Sequence, residues 1–283
     1  MNIIELNNVI NEIDKIGDDV WLSSLEDRKL KELEFHNKDR DESVVIELKA
    51  NDTYEEFYGN KKYYNVTKRS SGYVEDWIEV RCKSGGVFLD YACGNGENAM
   101  KAAKAGADLA LGLDISNVSI GNCRQSAADL GLENTRFFQA DAENTKLPDN
   151  SVDTIICSGM LHHLDLSFAL PELRRILKPG GKLLAVEALD YNPAIKLYRY
   201  LTPAMRTDWE KAHILSLADV AFAARFFDIG KTKYWHVVGY VAGKFPFLRL
   251  PLELIDKALE KIPYVQRMAW IFTFELIKPQ IKE

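Results

Sequence analysis

A chain of 283 residues is long enough for one large α/β domain with appendages and an ample core, without a second independent domain. Its formal net charge of −6 gives no general attraction to nucleic acid or to an anionic membrane, which points to a small-molecule ligand. The four widely spaced cysteines, Cys82, Cys93, Cys123 and Cys157, contain no C-x-x-C pair and read as reduced structural thiols of a cytoplasmic protein. The start, Met-Asn-Ile-Ile-Glu, matches neither a signal nor a transit peptide. Leu6, Val9, Ile10, Ile13 and Ile16 recur at helical spacing, and Ser24 with Asp27 reads as a capping box opening a second helix toward Phe35. From Asn37 to Ser71 the chain is polar and aromatic without a clean period, with Tyr54, Phe57, Tyr58, Tyr63 and Tyr64. It reads either as a cover over a site or as a surface connection anchored by its aromatics. Tyr73 to Cys82 is a helix feeding the turn Lys83-Ser84-Gly85-Gly86.

The stretch Val87 to Gly96, Val-Phe-Leu-Asp-Tyr-Ala-Cys-Gly-Asn-Gly, organises the rest. Apolar residues make a short buried strand ending at Asp90, and Gly94 and Gly96 open a loop on which a ligand can lie against bare backbone. Helix formers resume from Glu97 to Ala105, so the order is strand, glycine loop, helix. Asp90 and Glu97 flank the loop with negative charge, which suits a cationic or zwitterionic ligand better than a polyphosphate. Further βα units follow: a strand from Leu109 to Leu113 ending at Asp114, a helix from Ser119 to Leu130, and a strand from Thr135 to Gln139 ending at Asp141. Val152 to Cys157 is the fourth strand, Ser167 to Leu177 a helix capped by Ser167 with Pro171 in its first turn, and Lys182 to Ala188 the fifth strand. This alternation means a doubly wound, mostly parallel sheet, and it sets Asp90, Asp114, Asp141 and Glu187 on one rim, where open α/β sheets bind ligands. Asp114 lies near the ~20-residue spacing of a ribose-binding carboxylate, Asp141 is placed to accept from an adenine amine beside the Ala142 amide, and Asp90 to hold an ammonium.

These residues resemble the class I S-adenosylmethionine-dependent methyltransferases of the small-molecule branch. The resemblance rests on the glycine loop, Gly-Leu-Asp-Ile-Ser at the second strand, Ala-Asp-Ala-Glu after the third, the run from Leu147 to Leu164 and Leu-Arg-Arg-Ile-Leu-Lys-Pro-Gly-Gly-Lys-Leu, together about Gly85 to Ala188. It implies a seven-stranded Rossmann-like sheet with a helical N-terminal cover, a helical insertion after the fifth strand and an antiparallel last strand. It implies S-adenosylmethionine as cofactor, with Asp90, Ala92, Gly94 and Gly96 at the methionine end, Asp114 and Ile115 at ribose and adenine, Asp141 and Ala142 at the adenine edge, and the backbone of Cys157 and Ser158 at the methionine portion. Ala92 stands where the family has glycine, which suggests backbone there that is not left-handed. Residues 1–72 are read as the cover or lid, 73–190 as the cofactor-binding core, and 191–283 as a substrate-shaping insertion and final strands of the same domain.

Gly94-Asn95-Gly96-Glu97-Asn98-Ala99 also fits the dinucleotide pattern G-x-G-x-x-A, but an NAD-dependent oxidoreductase would set Asp90 against a pyrophosphate and leave Asp141 without a task. A catalytically silent adenosylmethionine-binding partner subunit is the other alternative; it would keep the loop and lose the acceptor pocket. His162 and His163 are the candidate general bases, only one of which can face the substrate, and no metal site is expected from their spacing. Tyr191, Arg199, Arg206 and His213 of the insertion, with His36 and Tyr64 of the cover, are candidate substrate contacts around a small, partly apolar acceptor. Whether oxygen, nitrogen or carbon is methylated is not written in the chain. Leu217 to Phe226 reads as a helix, Phe227 to Val238 and Met268 to Ile277 as strands, and Pro251 to Ile262 as an amphipathic helix. The apolar stretch Trp235 to Leu252 could wall the acceptor site, pair two subunits into a homodimer, or touch a membrane peripherally. Lys244, Pro246, Arg249, Pro251 and Glu253 break it too often for a span.

Overall fold

The computed structural model describes residues 2–50, 63 and 66–280. Seven strands form one sheet in the order β3-β2-β1-β4-β5-β7-β6. They are β1 (Val87–Tyr91), β2 (Leu109–Asp114), β3 (Thr135–Gln139), β4 (Val152–Ser158), β5 (Leu177–Ala188), β6 (Asp228–Trp235) and β7 (Ile271–Ile277). The first five pair in parallel, and β7 enters antiparallel between β5 and β6, as the resemblance implies. Every residue of β1 and β2 is buried, because helices cover both faces and an apolar run serves such a strand better than alternation. Successive side chains go to opposite cores. Leu89, Tyr91, Leu111 and Ile155 join one; Phe88, Ala110 and Ile156 join the other.

On the second face lie α5 (Lys68–Cys82), α6 (Glu97–Ala105) and α7 (Asn117–Asp129). The first face takes α1 (Ile3–Ile13), α8 (Leu166–Ile176) and α11 (Leu217–Ala223). Between α1 and α5 come α2 (Asp18–Ser23), α3 (Asp27–Arg40) and α4 (Glu42–Ala50). After β5 come α9 (Pro193–Leu201) and α10 (Asp208–Ala212), and after β6 comes α12 (Arg249–Leu259). Among the described residues no helix is long and apolar enough to cross a membrane.

Local capping departs from the sequence expectation at two helix starts. Ser24 does not open α3; its Oγ donates to the Trp21 carbonyl at 2.6 Å and closes α2, while the capping box forms at Asn2 and Glu5 instead. Asp165 rather than Ser167 caps α8, which moves Pro171 past the first turn. The β4–β5 register jumps from Val152 opposite Leu177 to Thr154 opposite Lys182, so Pro179, Gly180 and Gly181 bulge within β5 rather than precede it.

Sheet order reverses at β1, with β2 on one side and β4 on the other, and the glycine loop leaves β1 at that crevice. Ala92 is left-handed there, with φ 55°, contrary to the expectation from its methyl group; the turn requires it, and the Cys93 amide is fixed at 2.8 Å from the Leu113 carbonyl. Gly96 is held by packing as well as by its φ of 74°, since a Cβ would lie 2.7 Å from Phe137 and 2.9 Å from the Cys123 Sγ. Gly96→Ala should therefore lower folding stability by about 2–4 kcal/mol, combining left-handed strain with overpacking. Urea unfolding checks this, and an unchanged midpoint would remove the packing role.

Candidate functional site

The carboxyl ends of β1 to β4 border a cavity of about 280 Å³. Asp114 shapes it. Its Oδ2 accepts from the Gly94 amide at 2.8 Å and its Oδ1 from the Ser116 amide at 2.9 Å, so one carboxylate ties the glycine loop to the end of β2. Asp90 also borders the cavity, but its Oδ2 accepts from the Ala99 amide at the start of α6, 3.2 Å away. Burial lifts its carboxyl to about 7 against those helix amides, so Asp90 is partly neutral at neutral pH. Asp141 accepts from the Glu143 amide at 2.9 Å and from Lys29 Nζ at 2.7 Å. Ala92, Ile115, Ala142 and Ser158 line the same space.

Two residues of the expected cofactor set, Gly96 and Cys157, lie outside the lining of this cavity. Gly96 faces Phe137 and Cys123, and the side chain of Cys157, within β4, is fully buried in the core. The unexpected contributor is α3, whose Arg28, Lys29, Glu32, His36 and Arg40 roof it. Lys29 pairs with Asp141 and Glu143, and Arg28 Nη1 donates to the His163 carbonyl at 3.0 Å. The Asn37 Oδ1 accepts from Ser116 Oγ at 2.6 Å.

A second cavity, of about 1050 Å³, adjoins the first; His36, Arg40, Asn98, Ser158, Gly159 and His163 border both. Its walls come from α9, α10 and the segment around α5. Asn192 caps α9 through its Oδ1, and Thr207 caps α10 while its Oγ1 donates to Glu32 Oε1 at 2.6 Å, which joins the insertion to α3. Arg199 and Arg206 line this cavity, as does His36. Tyr191 and His213 do not. Tyr191 Oη accepts from the Leu217 amide, and His213 stacks on Trp209 with ring centroids 3.8 Å apart. Tyr64, with Tyr54, Phe57 and Tyr58, lies outside the described residues, but Tyr63, Thr67, Ser70 and Ser71 do line the cavity. Its lining is less apolar than expected. Tyr63, Tyr198, Met205, Tyr240 and Trp270 make one wall, and His162, Glu187, Arg206 and Glu210 make a charged one.

The two histidines divide cleanly. Glu187, at the end of β5, accepts the Met160 and Leu161 amides on Oε1 at 2.9 and 2.8 Å, and its Oε2 lies 2.7 Å from His162 Nδ1. A carboxylate accepts, so the proton sits on Nδ1 and Nε2 is left as the basic nitrogen, 3.8 Å from Glu210 Oε1. Burial alone would push the His162 pKa down, but the charge and hydrogen bond of Glu187, with Glu210 beyond, raise it above the ordinary histidine value. His163 Nδ1 lies 2.9 Å from Glu32 Oε2. Its burial, together with repulsion from His162, pushes its pKa down to about 3. His163 therefore remains neutral and joins the turn Leu161–His163 to α3, while His162 faces the larger cavity. Glu32, His36 and His163, and likewise His162, His163 and Glu210, bring donor atoms within 4.8 Å of one another. The acids in both groups arrive from α3 and α10, which spacing around the histidines could not anticipate. In the structure His163 Nδ1 is already hydrogen-bonded to Glu32 and His162 Nδ1 to Glu187.

A methyltransferase-domain family model matches residues 89–185, the segment that carries this rim. Residues 89–185 form a methyltransferase domain of the S-adenosylmethionine-dependent kind. The ubiquinone/menaquinone biosynthesis C-methyltransferase of Rickettsia akari is 40% identical over 107 residues, 35% of this chain and 43% of that protein. The chain thus spans less than half the length of that curated relative. Among solved structures, the YcgJ protein of Bacillus subtilis superposes with a TM-score of 0.51 at 20% identity, covering 74% of this chain and 98% of that one. The [4+2]-cyclase SpnF gives 0.53, also at 20% identity, over 73% of this chain and 81% of its own. Both show the fold, which by itself does not assign the chemistry.

The methyltransferase core fits its cofactor on two observations. Arg40 Nη2 stands 3.2 Å from where a Gly94 Cβ would be, and its buried Nε makes no hydrogen bond, with the Asp39 carboxylate 3.4 Å away. Ser119 Oγ, on the cavity wall, is likewise buried without a hydrogen-bond partner. The chain carries only an ambiguous trace of the role of α3. Arg28, Glu32, His36 and Arg40 recur every fourth residue, a stripe that reads as a solvated face until the fold turns it inward.

Proposed function

We propose that this protein transfers a methyl group from S-adenosylmethionine to a small acceptor in the larger cavity, with His162 as general base. The observation that carries this reading is the junction of the two cavities at Ser158, Gly159 and His163, with the His162–Glu187 pair on the acceptor side. When bound, S-adenosylmethionine supplies a methyl group already activated by its sulfonium. The residues that would hold it are Asp114 and Ile115, Asp141 and Ala142, Ser158 and the Gly94 backbone, with Arg40 for the carboxylate of its methionine portion.

The protein's own work is then positional and protonic. The α3 roof and the α9–α10 insertion keep water from the junction. His162 Nε2 takes the acceptor's proton, Glu187 holds the ring in one tautomer and offsets the charge that forms, and Arg199 and Arg206 orient polar groups of the acceptor. The wall of Tyr198, Met205, Tyr240 and Trp270 favours an acceptor with an apolar body. A C-methyltransferase relative in ubiquinone/menaquinone biosynthesis is compatible with that class. The silent-subunit alternative calls for no acceptor space, and about 1050 Å³ beside the rim weighs against it. Four unpaired thiols support a reducing, cytoplasmic setting.

Calorimetry tests the reading. Adenosylhomocysteine should bind and NAD should not. Arg40→Ala should weaken adenosylhomocysteine by about 10-fold or more, the worth of a hydrogen bond to a charged group, and leave 5′-methylthioadenosine, which has no carboxylate, unchanged. NAD binding without an adenosylhomocysteine signal would overturn it.

A further inference from the structure

Although the chain carries a net charge of −6, residues 244–268 sort their charges by direction. Of the three acids there, Asp256 and Glu260 are turned inward and Glu253 is neutralised by a neighbour. Glu253 pairs with Arg249 at 2.9 Å, and Asp256 is fully buried, accepting the Val238 and Gly239 amides at 2.8 and 3.0 Å. Glu260 takes both Nη atoms of Arg69, at 2.9 and 2.6 Å, and the His236 amide. Lys244, Lys257, Lys261 and Arg267 are all exposed. Among the described residues, solvent on this face therefore meets mainly positive charge.

Between those cations the same face presents large apolar side chains. Phe247, Leu250 and Leu254 are 79%, 72% and 66% exposed, and they follow one another at helical spacing through the turn at Pro246–Leu248 and along α12. Tyr264, 74% exposed, extends the patch, with the Arg267 guanidinium 5.0 Å above its ring. Lys244 Nζ stands 5.9 Å from the Phe245 ring. Protruding apolar groups on a short amphipathic helix, flanked by long cationic side chains, have the composition of an interfacial membrane contact.

We propose that this face, from Lys244 to Arg267, seats the protein on an anionic lipid bilayer. A second copy of the chain fits poorly, because a two-fold contact would bring Lys257 and Lys261 against their own images with no exposed acid on the patch to receive them. Anionic headgroups supply the missing charge, and the acyl boundary takes Phe247, Leu250 and Leu254. The turn Gly239–Gly243, which packs on α12, contributes Tyr240 to the acceptor cavity. On the methyl-transfer reading above, an apolar acceptor would pass from the bilayer to that cavity along one structural unit.

The test is co-sedimentation of the full chain with phosphatidylcholine vesicles, with and without phosphatidylglycerol. The chain should pellet with the anionic vesicles, less so as salt rises, and remain free with phosphatidylcholine alone. Phe247→Ser with Leu254→Ser, and separately Lys257→Glu with Lys261→Glu, should each lower the bound fraction at least about 10-fold while adenosylhomocysteine affinity stays unchanged, which reports an intact fold. Absence of binding to the anionic vesicles overturns the proposal, as does equal binding by the variants. So does a dimer in analytical ultracentrifugation that the Phe247→Ser, Leu254→Ser variant splits. Vesicle binding needs neither cofactor nor acceptor, so its failure is separate from failure of the adenosylhomocysteine titration.

Discussion

Replacing His162 with alanine should lower kcat by about 10²–10⁴-fold, the usual worth of a positioned general base, and leave adenosylhomocysteine affinity within about threefold. The split is expected because His162 borders the acceptor cavity and not the smaller one, and its ring is oriented by Glu187 rather than by any group of the cofactor rim. The pH profile follows from the same geometry. A base must be neutral to act, so kcat should rise with pH through the His162 pKa and then level. Glu187 raises that pKa, which sets the rising limb above the ordinary histidine value of about 6.5. Glu187→Gln keeps an oxygen for the Met160 and Leu161 amides but removes the charge, and should move the limb to lower pH while reducing the plateau. His163, already neutral and tied to Glu32, should show no such limb. An unchanged kcat in His162→Ala would reduce the pair to packing.

Asp114→Ala should weaken adenosylhomocysteine binding by about 1–3 kcal/mol, or roughly 5- to 150-fold. Two losses combine. The substitution takes away the acceptor expected for ribose hydroxyls, and it leaves the Gly94 and Ser116 amides without the carboxylate that holds the glycine loop against β2. Asp114→Asn keeps one acceptor oxygen and should fall between the two. Calorimetry at fixed salt reads the difference, and equal affinity in wild type and alanine variant would deny Asp114 any part in the site.

Much of the rim was legible because its signals are local. The apolar run of β1, the glycines after Asp90 and the acids closing β2 and β3 each sit within one strand and its following loop, where period and turn chemistry act directly. Misreadings were local as well. Ser24 Oγ donates to the Trp21 carbonyl instead of accepting a helix-start amide, and Ala92 adopts left-handed backbone because the turn requires it.

What lay beyond reach was every feature made by elements distant in the chain. The stripe Arg28, Glu32, His36 and Arg40 is, in sequence, indistinguishable from a solvated face; only the docking of α3 over the glycine loop gives it a cavity to line. His162 and His163 are neighbours of equal chemistry. Their difference comes from Glu187, 25 residues on from His162, and Glu32, 131 residues back from His163. The same holds for the face from Lys244 to Arg267, where acids and bases are interspersed along the chain and are sorted only when Arg69 and the amides of Val238 and Gly239 draw the acids inward. Composition and period alone settle a strand, a loop and the class of ligand that bare backbone and acids can hold. A pKa, the choice between twin histidines and the sign of a surface depend on burial and on partners far away in sequence, and those exist only once the chain has folded.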